Sequence, residues 1–244
     1  MVKPVILCDF DGTLATRTGG WADAIATVVN REHDAGLTAD AVRPYLQNGF
    51  PWHLWQTPHA QLMPGLSWWQ YVIGILTRSL ADLNVAPEHA RRALAQLPDE
   101  YVRADAFVVY DDVIPALTML TCAGYRCCIA SNHTPELPRL VADLGLSAFF
   151  TDVFTSATVG ADKPNRLFFE SVLASIDATP SEAVMIGDSF GSDVTGAIQL
   201  GLSAIWVRTP NDRGYALHAA DLMEAAPLID RIAHVKRQER QKLQ

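Results

Sequence analysis

Short apolar runs punctuate the chain at 5–8 (VILC), 126–130 (RCCIA), 152–155 (DVFT), 183–187 (AVMIG) and 203–207 (SAIWV), and most end in turn-forming residues. Between the later runs the apolar positions recur with the helical period. Continuous apolar strands alternating with amphipathic helices are the pattern of a parallel sheet buried on both faces. The chain therefore reads as an α/β protein. Cys127 and Cys128, adjacent within one run, are expected to point to opposite faces of a strand.

The first interval breaks the alternation, being about three times the roughly 30 residues that a simple βαβ unit needs. Residues 16–106 read almost wholly as helix: WADAIATVVNREH, TADAVRPYLQNG, SWWQYVIGILTRSLADL and PEHARRALAQL. Thr38 and Pro87 suit helix starts, Gly36 and Gly49 suit ends. The alternation resumes with DDVIPALTMLTCAG. The expected organisation is a core of residues 1–15 and 107–244, with 16–106 inserted as a helical cap over the carboxyl ends of the strands, where such sheets bind ligands. The terminal DRIAHVKRQERQKLQ alternates charge along a helical pattern and reads as a solvated tail.

Charge and composition narrow the partners. A net charge of -8 argues against a broad basic surface for nucleic acid, yet leaves room for a local positive pocket, so a small anionic partner is expected. The 4 cysteines form no CxxC pair and read as buried thiols in a reducing compartment. Too few apolar residues precede Asp9 for a signal peptide, and no run approaches the roughly 20 residues of a membrane span. A cytoplasmic protein without membrane contact is the expectation; monomer and homodimer stay equally open.

The candidate chemistry lies at strand ends. Asp9 and Asp11 close the first run, and two close carboxylates coexist there only if one is protonated or a hard cation, commonly Mg²⁺, lies between them. Gly12 allows a sharp turn, and Thr13 adds a hydroxyl and an N–H. Ser131 and Asn132 close the second run before a helix, either as phosphate-oxygen donors or, for Asn132 and Thr134, as simple helix caps. Lys163 follows the third run, where its ammonium can offset phosphate charge. Asp188 ends the fourth run as a metal-ligand candidate. Asp193 is either a supporting or alternate ligand, or a cap of the next helix.

DFDGTL, IASN, the Lys163-Pro164 turn and GDSFGSD, in that order, resemble the four motifs of the haloacid dehalogenase superfamily, in its subgroup with a helical cap between the first two motifs. The resemblance implies a Rossmann-like core and covalent phosphoryl transfer. Asp9 would be the nucleophile forming an aspartyl-phosphate, and Asp11 the general acid and base. Mg²⁺ would bind the Asp9 carboxylate, the Asp11 main-chain carbonyl and Asp188, with Asp193 in support. Ser131, Lys163 and the N–H groups around Gly12, Thr13 and Asn132 would hold the phosphoryl oxygens. The implied activity is a phosphatase acting on a small phosphorylated metabolite such as a sugar phosphate or nucleotide.

Other reactions are weighed on single residues. The family's dehalogenases carry a non-acidic residue where this chain has Asp11, and its phosphonatases use a cap lysine, whereas 16–106 contains none. A phosphomutase keeps both aspartates and stays open. A receiver-like signalling module shares the acid cluster and the lysine, but the long insertion and the pairing of Asp9 with Asp11 fit an enzyme better. In the cap, Trp52, His53, Trp55, His59, Trp68 and Trp69 crowd a Pro-interrupted segment and are read chiefly as packing, with one or two as specificity residues; a zinc site on His53 and His59 is disfavoured. Arg17 reads as a solvated side chain or an anion contact, and Gly19-Gly20 as a hinge.

Overall fold

The computed structural model describes residues 3–59 and 65–242. Residues 60–64, part of the Pro-interrupted aromatic segment, and the last two of the charged tail lie outside the described residues.

In chain order, β1 (Val5–Cys8) and the short β2 (Ala15–Arg17) lead into α1 (Gly20–Glu32), α2 (Ala39–Val42), α3 (Gly65–Asp82), α4 (Pro87–Leu94) and α5 (Leu97–Tyr101). The chain then passes through β3 (Phe107–Val109), α6 (Val113–Cys122), β4 (Cys127–Ser131), α7 (Leu137–Asp143), β5 (Asp152–Thr155) and α8 (Ser156–Val159). It ends with α9 (Arg166–Ser175), β6 (Ala183–Gly187), α10 (Gly196–Leu200), β7 (Ser203–Val207), β8 (His218–Ala219) and α11 (Leu222–Lys242).

The main sheet is parallel, with strand order β5-β4-β1-β6-β7-β8. All five apolar runs form its strands, within one residue of their expected bounds. The fully buried VILC of β1 sits between β4 and β6, so the residues that follow it emerge where the connections diverge to either side, the place at which open α/β sheets form a crevice. Alternation along β4 sends Cys127 into one apolar cluster with Ile6 and Cys8, and Cys128 into the other with Leu7 and Ala130.

Beyond the sheet, β2 and β3 pair antiparallel, Arg17 opposite Phe107, so the chain enters and leaves the helical stretch side by side. This ribbon escapes a periodicity reading because each strand has only 3 residues. Thr38 caps α2, its hydroxyl accepting from Ala41 N–H at 3.2 Å. The helix expected over TADAVRPYLQNG is only 4 residues of α-helix and then a 3₁₀ turn at Arg43–Leu46, as Pro44 lacks the N–H needed to continue. The charged tail belongs to α11, whose earlier turns bury Leu222, Ala225, Ala226, Ile229, Ile232 and Ala233; it is a packed helix that becomes polar toward its end. Among the described residues no helix is long and apolar enough to cross a membrane.

Candidate active site

Asp9 extends β1 by one residue, its N–H donating to Ile186 O of β6 at 2.9 Å. That bond fixes the carboxylate at the sheet edge, where Asp9 Oδ1 accepts from Lys163 Nζ at 2.8 Å. Lys163 also donates to Asp193 Oδ1 at 2.6 Å, and all three side chains are at least nine-tenths buried. Burial opposes the ammonium's charge, but Asp193 and Asp9 outweigh it and push Lys163 up to about 12, so it stays protonated.

Asp193 reaches this position because the chain after Asp188 makes a π-helical turn over Phe190–Thr195, with Asp193 N–H donating to Ser189 O at 2.9 Å. Its other oxygen accepts from Ser189 N–H at 3.0 Å. Gly187 is required beneath it, since a Cβ there would lie 2.1 Å from Asp193 Oδ2. Asp188 is locked to the first loop: Thr13 Oγ1 donates to its Oδ1 at 3.2 Å and accepts from its N–H at 3.1 Å. Burial and then the charge of Asp9 raise Asp188 to about 6.

Oxygens of Asp9, Asp188 and Asp193 lie within 4.8 Å of one another. Gly12, at φ +80°, clears space beside them, because a Cβ there would come 2.5 Å from Asp188 Oδ2. Hard oxygen donors that disfavour shared negative charge, in a cradle kept open by a glycine, fit a small divalent cation such as Mg²⁺. Asp193 already has both oxygens engaged, which makes Asp9 and Asp188 the better direct ligands.

Asp11 is not among the clustered carboxylates. Its side chain is 37 % exposed, yet desolvation by the surrounding walls, then Asp9 and Asp188, raises it to about 8. His133 Nε2 stands 3.7 Å from Asp11 Oδ2, and burial lowers that imidazole to about 4, leaving it neutral. Ser131 ends β4, opposite Thr155 of β5, and is 1 % exposed. The Asn132 side chain holds the Lys163 backbone and the Thr13 hydroxyl pairs with Asp188, while the Gly12 N–H donates to Ala15 O at 2.8 Å and the Thr13 N–H to Phe10 O at 3.2 Å, so of these phosphate-contact candidates the Asn132 N–H is the donor left to consider.

Three structural roles escaped the sequence reading. Arg208, just past β7, donates Nε to Thr13 O at 2.7 Å and forks onto Asp112, bracing the first loop from behind. A charged residue immediately after SAIWV was the available signal. His133 follows the second motif directly, and its proximity to Asp11 comes from the meeting of two loops. Arg17 is buried: Nε donates to Tyr101 O, Nη1 to the Thr18 and Gly20 carbonyls and Nη2 to Glu100 O, so its guanidinium staples the joint beside the ribbon instead of meeting solvent or substrate.

A cavity of about 370 Å³ opens beside Asn132 and His133 and is walled by Trp21, Trp52, Trp68 and Tyr101. Of the crowded aromatics, Trp68 and Trp69 are buried, and Trp69 Nε1 donates to Glu136 Oε1 at 2.9 Å. His59 Nδ1 lies 3.3 Å from buried Asp162, next to Lys163 in sequence.

The glyceraldehyde 3-phosphate phosphatase of Methanothermobacter thermautotrophicus is 32 % identical to this chain over 128 residues, which are 52 % of this chain and 57 % of that protein. The match thus spans little more than half of that relative. Among solved structures, a HAD phosphatase from Thermococcus onnurineus superposes with a TM-score of 0.63 at 24 % identity, covering 93 % of this chain and 97 % of that one. A 2-haloacid dehalogenase from Pseudomonas syringae pv. Tomato DC3000 also superposes at 0.63, with 21 % identity and coverage of 95 % and 99 %. At such identities these two likenesses establish the fold, which evidently carries both reactions. The model of the haloacid dehalogenase-like hydrolases matches residues 3–201, four motif-bearing strand ends included, and the chain belongs to that family.

Proposed function

We propose that the protein is a Mg²⁺-dependent phosphatase that hydrolyses a small phosphomonoester through an aspartyl-phosphate on Asp9. The observation that carries this reading is the division of labour between two aspartates one residue apart: Asp9 is paired with Lys163 at 2.8 Å, whereas Asp11 is raised to about 8. Lys163 sets a positive charge against one, and the other serves as the proton carrier.

In the first step the Asp9 carboxylate attacks phosphorus, the bond to the leaving oxygen breaks, and Asp11 gives that oxygen its proton. In the second, ionised Asp11 takes a proton from water, the water oxygen attacks phosphorus, and the acyl phosphate bond breaks to regenerate Asp9. Lys163 offsets phosphoryl charge, while Ser131 and the Asn132 N–H orient the equatorial oxygens. Asp9, Asp188 and the Asp11 carbonyl would hold Mg²⁺, with Asp193 in support; when bound, the ion supplies the positive charge that lets these acids and the phosphate share one site. Residues 16–106 act as a cap that shields this chemistry from bulk water. Four cysteines without disulfides suit a reducing compartment such as the cytoplasm.

Asp11 also favours a phosphatase over a dehalogenase. A departing halide needs no proton, whereas an alkoxide does, and a carboxyl held protonated beside the nucleophile supplies it. The test is phosphate release from a panel of phosphorylated metabolites, with and without Mg²⁺, by the native protein and by Asp9→Asn. Metal-dependent release that disappears in the folded variant is the expected result; release that survives in Asp9→Asn would refute the covalent route.

A further inference from the structure

The cavity of about 370 Å³ adjoins the proton carrier, because His133 lines it and stands 3.7 Å from Asp11 Oδ2. A leaving group placed to receive the Asp11 proton would therefore lie against the cavity's aromatic wall. Trp21 and Trp52 in that wall are only partly buried, with ring centroids 5.5 Å apart. Trp21 stacks on Tyr101 at 4.0 Å and Trp52 on Phe50 at 4.8 Å, so both indoles are held before any ligand arrives. Little rotamer entropy is left to lose on binding.

The wall lacks countercharge. No lysine or arginine lines the cavity among the described residues, and residues 60–67, whose side chains are not described, contain neither. Arg17, the basic residue nearest in sequence to Trp21, spends its donors on main-chain carbonyls and on Asp23. A carboxylate or second phosphate brought to this wall would shed its hydration with no cation to meet it. An uncharged group avoids that cost and gains apolar contact. Trp68 adds a polar requirement, because its indole nitrogen is buried without a partner among the described residues. A ligand oxygen or ring nitrogen would satisfy it.

We infer that the leaving group is an uncharged, ring-bearing alcohol with a flat apolar face and acceptor atoms at its edge, the chemistry shared by a monosaccharide and a nucleoside. This rests on the phosphatase reading and narrows it.

Four phosphomonoesters separate the possibilities by kcat/KM with Mg²⁺: a hexose phosphate, a nucleoside monophosphate, glycerol phosphate as a ringless neutral control, and phosphoglycolate as a carboxylate. At least one ring ester should exceed glycerol phosphate by about tenfold, the effect of one aromatic stacking contact, with phosphoglycolate lowest. Whichever ring ester leads identifies the source. Trp52→Ala should cut the ratio of ring ester to glycerol phosphate by about tenfold, and Trp52→Phe should retain it. Phosphoglycolate handled as well as the ring esters, or a ratio unmoved in folded Trp52→Ala, would overturn the inference and leave the phosphatase reading standing. If no ester is hydrolysed, the phosphatase reading fails, and quenching of tryptophan fluorescence in Asp9→Asn by the same four compounds decides the pocket alone. Ring esters bound about tenfold tighter than phosphoglycolate would support it, and equal binding would overturn it.

Discussion

The carboxamide of Asn132 grips the main chain of Lys163 at both ends: Oδ1 accepts Lys163 N–H at 2.7 Å, and Nδ2 donates to Lys163 O at 2.9 Å. Two loops 31 residues apart are thereby locked together, and the ammonium is held at Asp9 and Asp193. Asn132→Ala leaves both main-chain groups short of a partner, at about 1–3 kcal/mol each where they are buried. We expect lower thermal stability and a fall in kcat of about 10- to 100-fold through a displaced Lys163. Denaturation and steady-state kinetics on the same preparation check it; an unchanged kcat in a destabilised variant would assign Asn132 to structure alone.

Asp11 sets a pH dependence whose sign is definite. Its folded pKa of about 8 lies above the ordinary 3.8, so between these values the folded chain retains a proton that the unfolded chain has released. Stability from this group is full below about 4 and falls as pH rises toward 8. Asp188, raised to about 6, adds loss in the same direction over the lower part of that window. With divalent ions chelated, the melting temperature should therefore drop between pH 5 and pH 8. Asp11→Asn should melt higher than the native protein at pH 8 and alike near pH 4; the reverse order at pH 8 would show the carboxyl to be ionised and well solvated.

The same proton predicts a leaving-group effect. If Asp11 protonates the departing oxygen, Asp11→Ala should slow hydrolysis of an alkyl phosphate by about 10²- to 10⁴-fold. Formation of the acyl phosphate from a nitrophenyl ester should suffer much less, because nitrophenolate leaves without a proton. Burst kinetics on the two esters measure this, and equal losses in the first step would remove Asp11 from the donor role.

Gly12→Ala combines a backbone penalty with a collision. At φ +80° the new methyl costs about 1–2 kcal/mol and lands 2.5 Å from Asp188 Oδ2, which must then move. Weaker Mg²⁺ binding together with a lower melting temperature is the expected pair of changes, read by calorimetric titration and thermal denaturation. Retained Mg²⁺ affinity would place the ion away from Asp188.

Arg208 braces the first loop through Thr13 O and forks onto Asp112, a pair in which both side chains are largely buried. Arg208→Ala leaves the Asp112 carboxylate without its cation and holding only the Leu222 N–H, and should cost about 3 kcal/mol, with activity falling as the Asp9–Thr13 turn loosens. Arg208→Lys should rescue little, since one ammonium cannot make the forked contact and reach Thr13 as well. Denaturant titration of both variants is the check.

Periodicity was enough to find the sheet, because a parallel strand buried on both faces must be apolar at every position and VILC or AVMIG can be little else. The strand-end acids were equally legible, since Asp9, Asp11 and Asp188 follow apolar runs at positions where burial penalises charge, and Asp193 comes five residues after Asp188. What those side chains touch was not. Asp193 reaches Lys163 through a π-helical turn, Asn132 grips a loop 31 residues away, and Arg17 disappears into a joint of carbonyl groups. Each depends on where separate elements come to rest. Local sequence constrains a residue's neighbours along one strand or helix turn, whereas the partners of a loop side chain come from distant packing. The composition of the aromatic segment likewise told of crowded rings; the division into buried Trp68 and Trp69 and half-buried Trp52, with Trp21 of α1 brought alongside, arises from the way the helices pack, and that packing leaves a cavity beside His133.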